Sequence, residues 1–548
     1  MIEHSFGSRC ARRSVPTALA LLCLGVAALA LWQAARDSPT IDEPVYVTAG
    51  VTALSRHDLR LNPQHPPLGK VLAAIAVLPA DPVIPAGRVW RGHHQRVYSR
   101  AFLEAARRSG KLREITFLSR LVPILELVAT GLVVFAIARR LAGPAGGVFA
   151  AALWLLDPFV LGIGHVDGID VPFTLVVLLL ALALVRWLER RTLARAVPIG
   201  LACGAALVAR DTGPLVLGVA ILTVALLSRE LRPPLIVGGL AYGVVWLVYG
   251  ALDPAFTLHH LNVLPQRYID GFDALADAHA GPAQAFLLGR HWSSAHWWFW
   301  PISMVVKLPA TLLAAYALTP FFLRSVPSDA RRRVYLALVP SALALALFTL
   351  ATPVYLGLRY MLPVLALLTV GVAPLVRAPR LLPVALVTGS LLFAVASAPH
   401  SMAWTAPPFE PGYRATTDSN LDWGQDVYPL QRWARGKHAW IACFSPKGVG
   451  CVEGVPGARR LGKHAGRSRV HGWVAISSTL LNLDGWDPWL RHIKPAGTID
   501  GTVLFYRLPP AASLRATSFR PARPPRAIRH RVCGPSRTRS STACFRQS

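Results

Sequence analysis

The stretch VPFTLVVLLLALALV, residues 171–185, carries no charged side chain and is bounded by Asp170 and Arg186. Similar apolar blocks recur along the chain, at 15–31, 117–138, 146–160, 197–208, 214–227, 235–252, 299–322, 334–350, 353–376 and 381–398. A helix needs about 20 apolar residues to cross a hydrocarbon core about 30 Å thick. The sequence therefore predicts a polytopic α-helical membrane protein with about 11 transmembrane helices, although several blocks are short and interrupted by Gly or Pro.

The amino-acid composition is that of a membrane protein. Of 548 residues, 53% are hydrophobic and 16% are charged, whereas soluble proteins carry about 25% charged residues. The formal net charge of +29 comes mainly from arginines in the loops between apolar blocks and in the last part of the chain. We interpret these arginines as topology signals and contacts with membrane lipid, and we expect no nucleic-acid partner.

The arginine-bearing loops predict the orientation of the chain. With a cytoplasmic N-terminus, alternation places every short arginine-rich loop on the cytoplasmic side. These arginines are Arg9, Arg12 and Arg13, Arg139 and Arg140, and those within 186–195, 229–232, 324–333 and 377–380. The predicted location is a bacterial inner membrane, with loops 32–116 and 253–298 and the C-terminus outside. A cleaved signal peptide in place of the first helix is the alternative, because Ala34 and Ala35 follow it.

The chain divides into three predicted parts. Residues 1–398 form the transmembrane part, and residues 399–510 form a small extracytoplasmic α/β domain with short β-branched runs at 473–476 and 502–506. Residues 511–548 form a basic tail that is expected to be disordered. Cys443 and Cys451 share one outer segment, where an oxidising environment allows a disulfide, but Gly448 and Gly450 favour a loose loop, so both readings stay open.

Two adjacent acids follow the first apolar block directly. The segment Ile41-Asp42-Glu43-Pro44 begins the first outer loop, and Asn62-Pro63-Gln64-His65-Pro66-Pro67-Leu68 comes later in it. A carboxylate at the edge of the membrane is suited to take a proton from an attacking group. The alternative, that these acids cap the following helix, has equal weight on spacing alone.

Several motifs in order along about 450 residues resemble one known family. They are Asp42-Glu43-Pro44 with His65-Pro66-Pro67-Leu68, GHVDGIDVP at 164–172, FLLG at 286–289 followed by Trp298 and KLP at 307–309, and DSNLDWGQD at 418–426. The chain resembles the polyprenyl-phosphate-sugar glycosyltransferases that are related to the protein O-mannosyltransferases and the lipid A aminoarabinose transferase. That resemblance implies the GT-C membrane fold.

The resemblance also implies roles for the acids of the two outer loops. Asp42 corresponds to the presumed catalytic base of such enzymes, with Glu43 beside it. In the second loop, Asp167 and Asp170 lie at i and i+3, so they face one ligand if the segment is helical. Together with His165 they are candidates for holding a divalent cation (Mg²⁺ or Mn²⁺) against a phosphate, or for orienting the acceptor or a basic partner.

Basic residues at the ends of apolar blocks are candidates for binding the donor phosphate. Charges within a membrane are costly and therefore mark functional sites, and Arg and Lys both bind phosphate. The alternative is that they extend to lipid headgroups. The candidates are Lys307, Arg359, Arg210 and Lys70, with His65 as a further substrate or metal candidate.

The segment 418–426 is dense in hydrogen-bonding groups beside Trp423. Carboxylates and amides next to an aromatic ring suit sugar recognition, and the same composition suits a tight structural turn. We favour a structural or acceptor-positioning role for Asp418, Asn420, Asp422 and Gln425.

The sequence thus predicts a glycosyltransferase that takes a hexose or pentose from a polyprenyl-phosphate carrier and gives it to an acceptor hydroxyl on the outer face of the membrane. Inversion at the sugar carbon is implied by the resemblance alone. A transporter or flippase of lipid-linked sugars is the alternative, but such proteins more often show repeated halves, which this sequence lacks. A non-catalytic membrane scaffold is a third reading. The sugar and the acceptor (protein, lipid or glycan) are not identified.

Overall fold

The computed structural model describes residues 3–510 except 93, 279–283, 294–295 and 353, and it describes side chains from residue 15 onward. The side chains of Arg9, Arg12 and Arg13 and the predicted basic tail, 511–548, lie outside the described residues. The apolar blocks predicted from sequence all overlap helices in the described chain. The fold class, a polytopic helical membrane protein, is confirmed in this respect.

The first half of the chain is helical, with a long outer segment between α1 and α6. Its helices are α1 (Glu3–Arg36), α2 (Glu43–Arg56), α3 (Leu68–Val77), α4 (Arg88–Arg91), α5 (Gln95–Arg108), α6 (Leu112–Leu155), α7 (Pro158–Gly164), α8 (Asp170–Glu189), α9 (Leu193–Ala209), α10 (Gly213–Ser228), α11 (Arg232–Leu252), α12 (Pro254–His259) and α13 (Gln266–Ala278).

The second half adds helices and two sheets. Its helices are α14 (Phe299–Lys307), α15 (Ala310–Phe322), α16 (Ser328–Ala351), α17 (Leu362–Gly371), α18 (Leu381–Ser397), α19 (Val427–Ala434) and α20 (Ser478–Asn482). Its strands are β1 (Ala285–Leu287), β2 (Arg290–Trp292), β3 (Trp440–Ala442), β4 (Arg459–Arg460), β5 (Gly472–Ser477), β6 (Gly497–Ile499) and β7 (Val503–Leu508).

Six described helical segments are long and apolar enough to cross a membrane, or seven if a pair bent by 118° at 307–310 counts as one span. They are Val15–Arg36, Leu112–Leu155, Asp170–Glu189, Arg232–Leu252, Ser328–Ala351 and Leu358–Arg377, and the bent pair is Phe299–Lys307 with Ala310–Ser325. Four apolar helical segments are shorter: Leu68–Ala80, Leu193–Ala209, Gly213–Ser228 and Leu381–Ser397. The predicted number of about 11 crossings therefore stays a prediction.

Helix α6 is a hairpin of two helical arms. Ala142 and Gly143 have non-helical dihedral angles, and Gly143 has a φ of 71°. The indole nitrogen of Trp154 donates to Thr130 Oγ1 over 2.8 Å, a contact that is possible only if the chain turns back between them. The two arms of this hairpin correspond to the two apolar blocks of the sequence, 117–138 and 146–160.

The helices bring the ends that carry acids and arginines to one side. Helix α8 begins at Asp170 and ends at Glu189, so these residues lie about 28 Å apart along its axis. Arg210 follows α9 and Arg359 lies just before α17. At the opposite end, Arg140 pairs with Glu189 over 2.9 Å. The loops that carry the predicted site thus converge, and Arg140, one of the predicted cytoplasmic arginines, lies at the other end of α8.

The region after residue 399 contains a mixed five-stranded sheet in the order β4-β3-β5-β7-β6. Strand β3 pairs parallel with β4 and β5, and β7 pairs antiparallel with β5 and β6. Strands β5 and β7 coincide with the β-branched runs predicted from sequence. Val474, Ile476 and Leu504 are buried on one face of the sheet, which gives this region an apolar core of its own.

Cys443 and Cys451 are joined by a disulfide with a sequence separation of 8. A cross-link that closes such a short loop stabilises the folded state by about 2–3 kcal/mol. We expect a Cys443→Ser/Cys451→Ser variant to be cleaved faster by trypsin in the region 399–510. Cys23→Ser, which removes a free cysteine of α1, serves as control, and equal cleavage of all three proteins would contradict the expectation.

Candidate active site

A cavity of about 200 Å³ lies where the first outer loop meets the loops before α8 and α17. Its walls come from segments far apart in sequence. Asp42, Tyr46, His65, Arg210, Arg359 and Tyr360 all line it. Four of these six residues, all but Tyr46 and Tyr360, were candidates from sequence, and the fold brings them together at one site.

Asp42 contributes a carboxylate to the lining of this cavity. Its side chain is 25% exposed, and its Oδ2 lies 3.4 Å from Nη2 of Arg359. Asp42 occupies the position before the first turn of α2 but makes no side-chain capping hydrogen bond. The capping alternative is therefore not what the structure shows.

Arg210 and Arg359 meet at Asp170. Arg210 Nη1 forms an ion pair with Asp170 Oδ1, and Arg359 Nη1 lies 3.4 Å from Asp170 Oδ2. The Tyr360 ring lies between the two arginines, 4.8 Å from the Arg210 guanidinium carbon and 5.3 Å from that of Arg359. The side chains of both arginines are 5% exposed. Two buried guanidinium groups thus face the cavity that contains Asp42.

Asp167 and Asp170 do not face a common ligand. Whereas Asp170 binds the two arginines, both carboxyl oxygens of Asp167 are buried and have no hydrogen-bond partner among the described residues. Burial raises the pKa of Asp167 well above its ordinary value, and the nearby charges of Glu43 and Glu126 raise it further. The sequence analysis offered these two acids a cation, an acceptor or a basic partner. Asp170 has a basic partner, and the two carboxylates do not form a pair that could hold a cation.

His165 lies next to Asp37. Its Nε2 is 2.9 Å from Asp37 Oδ2, and its Nδ1 is 3.0 Å from the carbonyl oxygen of Leu161. Both ring nitrogens are thus within hydrogen-bonding distance of protein oxygen atoms. His165 is fully buried and does not line the cavity. The structure therefore separates it from the cation site for which it was a candidate.

The carboxylate oxygens of Glu43 accept four hydrogen bonds from other residues of the protein. Its oxygens accept from Nε and Nη2 of Arg120 over 2.8 and 2.7 Å, and from the backbone N–H groups of Thr40 and Asp167 over 2.7 and 2.9 Å. Arg120 also donates to the carbonyl oxygens of Ala34, Asp37 and Ser38. Glu43 is 2% exposed. It is placed to hold the two acidic loops together rather than to act beside Asp42 on a substrate.

Lys70 and His65 fix the shape of the first outer loop. Lys70 Nζ donates to the carbonyl oxygens of Asn62 and His65 over 2.8 and 2.6 Å and does not line the cavity. The His65 ring packs edge-on against Tyr46, with ring centroids 5.8 Å apart. Lys70 is thus a loop-positioning residue in this structure, and His65 keeps access to the cavity.

Lys307 is not brought to the cavity, contrary to the sequence-based expectation. Its Nζ donates to the carbonyl oxygen of Met402 over 2.9 Å and to that of Trp404, and the side chain is 1% exposed. Helix α14 ends at this lysine. A buried ammonium group that is bonded to two carbonyl groups anchors the segment after α18.

The segment 418–426 connects the C-terminal sheet with the cavity. Asn420 Oδ1 accepts from the backbone N–H of Leu358 over 2.7 Å, and the Trp423 ring lies 4.3 Å from the guanidinium carbon of Arg359. Asp422 accepts from Ser477 and from the backbone N–H of Thr479 over 2.5 and 3.0 Å.

Two more side chains of this segment have local partners. Gln425 accepts from the Trp423 backbone over 2.8 Å and donates to Leu421. Asp418 accepts from the Ser419 backbone over 2.6 Å. The arrangement fits the favoured structural or positioning role, because it orients the loop that carries Arg359.

Asp418 makes the stability of this segment sensitive to pH. Burial raises the pKa of its carboxyl to about 7, from an ordinary value of 3.8. A group whose pKa is higher in the folded than in the unfolded protein stabilises the fold fully only at a pH below its unfolded pKa. That contribution is lost as the pH rises to the folded pKa. We expect the melting temperature of the parent to fall as the pH rises from about 4 to about 7 and to level off above that.

Asp418→Asn provides the matched comparison. Asn cannot ionise and tolerates the left-handed backbone at this position, where φ is 54°. The melting temperature of the variant should therefore depend less on pH over the same interval. Parallel curves for the two proteins would rule out Asp418 as the titrating group.

One group of described residues has its ligand atoms close enough for a metal ion. His400, Asp426 and Asp500 each offer one ligand atom, and these lie within 4.8 Å of one another. However, Arg36 Nη2 lies 3.2 Å from Asp500 Oδ2, and Thr502 donates to Asp426 over 2.6 Å. None of the three lines the cavity. Arg36 thus neutralises Asp500, the Thr502 hydroxyl occupies an oxygen of Asp426, and the predicted ligands Asp167, Asp170 and His165 are not in this group.

The sequence reasoning did not identify four residues of the site. Arg120 and Asp37 bind Glu43 and His165, and Tyr46 and Tyr360 line the cavity. Arg120 had a detectable signal, because a charged residue within an apolar block marks a buried partner. The tyrosines had none, since their positions depend on how the loops fold.

Part of the chain matches a known family. Residues 114–250 match the family model described as dolichyl-phosphate-mannose-protein mannosyltransferase. None of the curated protein sequences matches the chain.

Three solved structures are similar to the chain. ArnT from Cupriavidus metallidurans bound to undecaprenyl phosphate is 12% identical, with a TM-score of 0.50, over 89% of this chain and 97% of ArnT. The apo form of the same protein is 13% identical over 89% and 98%, with a TM-score of 0.48. The oligosaccharyltransferase AglB from Archaeoglobus fulgidus is 12% identical over 84% and 70%, with a TM-score of 0.42.

The first of these likenesses extends over almost the whole chain and therefore shows the fold. The family match falls on α6 to α11. This region includes Asp170, at the start of α8, and the loop residues Asp167 and Arg210. The chain is therefore a helical membrane protein with the fold of ArnT, and its residues 114–250 are similar to the family described as dolichyl-phosphate-mannose-protein mannosyltransferase.

Proposed function

We propose that this protein transfers a sugar from a polyprenyl-phosphate carrier to an acceptor hydroxyl on the outer face of a bacterial inner membrane. The observation that carries the proposal is the cavity in which Asp42 lies beside two buried arginines, Arg210 and Arg359. A carboxylate and a phosphate-binding pair are what displacement of a phosphate from a sugar requires.

The arginines have donors left for a phosphate. The Nε of Arg359 is buried and has no hydrogen-bond partner among the described residues, and buried donors are normally satisfied. A phosphate oxygen in the cavity would satisfy it. Guanidinium groups bind phosphate through paired donors, so Arg359 and Arg210 together suit a phosphate whose charge increases as the sugar leaves.

An apolar cavity adjoins the arginines on the lipid side. It measures about 100 Å³, shares Arg210 and Tyr360 with the first cavity, and is lined by Phe173, Leu345 and Phe348. Phe348 is 44% exposed on the apolar surface of α16. A polyprenyl chain would enter between these helices while its phosphate stays at Arg210. This position accounts for a reaction site at the edge of the membrane.

The proposed step moves one proton and exchanges one bond. Asp42 accepts the proton of the acceptor hydroxyl as the acceptor oxygen bonds to the anomeric carbon of the sugar. The bond from that carbon to the phosphate oxygen breaks, and its electron pair leaves with the polyprenyl phosphate. Arg210 and Arg359 stabilise the added negative charge on the phosphate. Attack from the face opposite the phosphate gives inversion.

The two arginines make a metal ion unnecessary for this step, since they supply the positive charge that a divalent cation would supply. A Mg²⁺ or Mn²⁺ requirement is therefore the less favoured form of the proposal. The acceptor (a protein, lipid or glycan hydroxyl) would approach from the outer side, where Gln64 and Gln95 line the cavity.

The test is to incubate the purified protein with radiolabelled polyprenyl-phosphate sugars and bacterial membranes, with and without EDTA. The proposal expects release of polyprenyl phosphate together with transfer of label to membrane material. Label that crosses sealed vesicles while still attached to its carrier would instead identify a flippase. Absence of both release and transport for every donor would leave a non-catalytic scaffold and contradict the proposal.

A further inference from the structure

A large cavity of the described chain lies away from the candidate active site. It measures about 770 Å³ and is a groove between α8 and α9, at the end of α8 opposite to Asp170. The candidate site residues of these two helices, Asp170 and Arg210, lie at the opposite ends of the helices. The large groove therefore has no part in the proposed transfer.

Three arginines surround the head of this groove. They are Arg140, Arg186 and Arg195, with Glu189 between them. Glu189 lies 2.9 Å from Arg140 Nε and 3.8 Å from Arg195 Nη1. The Arg186 guanidinium makes no hydrogen bond or ion pair with any residue that the structure describes. Glu189 neutralises one charge of the three, so the head of the groove stays positively charged.

The body of the groove is apolar and faces the surface that contacts lipid. Leu179 and Leu201 line it and are 42% and 48% exposed. Small residues of α9, Ala202 and Ala205, form its floor. From Glu189 to Leu179 the groove follows ten residues of helix, about 15 Å. That length is half of a hydrocarbon core about 30 Å thick, so it matches one leaflet.

We propose that this groove binds an anionic phospholipid of the leaflet opposite to the candidate active site. The lipid phosphate lies against Arg140, Arg186 and Arg195, and an acyl chain lies along Leu179 and Leu201. Basic pockets between helices at the cytoplasmic membrane surface bind anionic headgroups. The apolar body favours a lipid over free phosphate, because only a lipid fills both parts of the groove.

The bound lipid would contact two helices, α8 and α9, whose far ends position Asp170 and Arg210 of the candidate active site. Helix α8 begins at Asp170, and α9 is followed by Arg210. A ligand that binds only the folded arrangement of these helices raises the melting temperature. The proposal does not depend on the sugar-transfer activity, since its readouts are lipid binding and stability.

The test is native mass spectrometry of the purified protein with dioleoylphosphatidylglycerol or dioleoylphosphatidylcholine at equal concentration. We expect the parent to retain the anionic lipid at least about tenfold more strongly, a difference of about 1.4 kcal/mol. An Arg140→Gln/Arg186→Gln/Arg195→Gln variant should lose this preference. Equal retention of both lipids by the parent would overturn the proposal.

Matched controls separate the groove from general surface charge. Arg229→Gln/Arg232→Gln/Arg324→Gln removes the same charge from exposed arginines at the same membrane face and should keep the preference. If that control loses it equally, binding is non-specific and the proposal is wrong.

Two single variants guard against misfolding of the triple variant. Arg186→Gln removes a side chain without a described partner and should weaken anionic lipid binding about fivefold, the equivalent of about 1 kcal/mol. Leu201→Trp fills the body of the groove without changing charge and should also reduce binding. Unchanged binding in Leu201→Trp would show that the lipid does not occupy the groove.

Discussion

Replacement of Asp42 by Asn is expected to lower the rate of sugar transfer by about 10²–10⁴-fold, which is the contribution of a well-placed general base. Asn keeps the size of the side chain but does not accept a proton at neutral pH. The fold should tolerate the change, because Asp42 is 25% exposed and its ionic contact, with Arg359, measures 3.4 Å. The measurement is the initial rate of label transfer from the donor that the parent uses best.

The matched control for this prediction is Asp81→Asn. Asp81 is an exposed acid of the same outer segment, in a left-handed backbone that Asn also adopts, and it does not line the cavity. The control should transfer sugar at the parental rate. If Asp42→Asn does so as well, the assignment of the base is wrong, whereas equal losses in both variants would indicate a general effect of charge.

Replacement of Arg120 by Met is expected to lower the free energy of unfolding by about 3–5 kcal/mol, since it leaves the buried carboxylate of Glu43 without its ion-pair partner. Arg120 also donates to three carbonyl groups at the end of α1. These bonds hold the segment that leads from α1 to Asp42. Arg120→Lys should restore little of the stability, because an ammonium group does not reproduce the paired donors of the guanidinium.

The stability of these variants is measured by thermal unfolding in detergent, with Arg100→Met as control. Arg100 forms an exposed ion pair with Glu104 in which the two side chains are 54% and 30% exposed, and such pairs contribute less than about 1 kcal/mol. A melting temperature of Arg120→Met equal to that of the control would show that the buried pair with Glu43 is not an anchor of the site.

The helices of the membrane part were predictable because the apolar blocks alone define them. Their exact boundaries were not. The turn at Ala142 and Gly143 joins two predicted spans into one hairpin, and the break between Lys307 and Ala310 splits another span. Both depend on backbone conformations at one or two residues, which hydropathy averaged over a span does not detect.

The convergence of Asp42, Asp170, Arg210 and Arg359 was predictable from topology, because helices that alternate in direction bring every second loop to the same side. The individual partners were not predictable. Asp170 binds arginines, whereas Asp167, three residues earlier, has a buried carboxyl without a described partner. Their loop is not helical at Asp167, so the i, i+3 argument did not apply.

Lys307 shows a different limit of the sequence argument. The sequence analysis made Lys307 a candidate for binding the donor phosphate, because a charge within an apolar block marks a functional site. However, the partners are the carbonyl groups of Met402 and Trp404, and hydropathy does not distinguish a carbonyl from a substrate phosphate. Glu43 likewise has a protein partner, since it binds Arg120. Its neighbour Asp42 lies at the cavity.

The most direct test of the central claim is the position of a carrier phosphate in a cryo-electron-microscopy map of the protein with undecaprenyl phosphate. The claim predicts phosphate density within hydrogen-bonding distance of Arg210 and Arg359, with the prenyl chain beside Phe173 and Phe348. Density for the phosphate elsewhere, for example beside Arg140 and Arg186, together with an unoccupied cavity at Asp42, would contradict it.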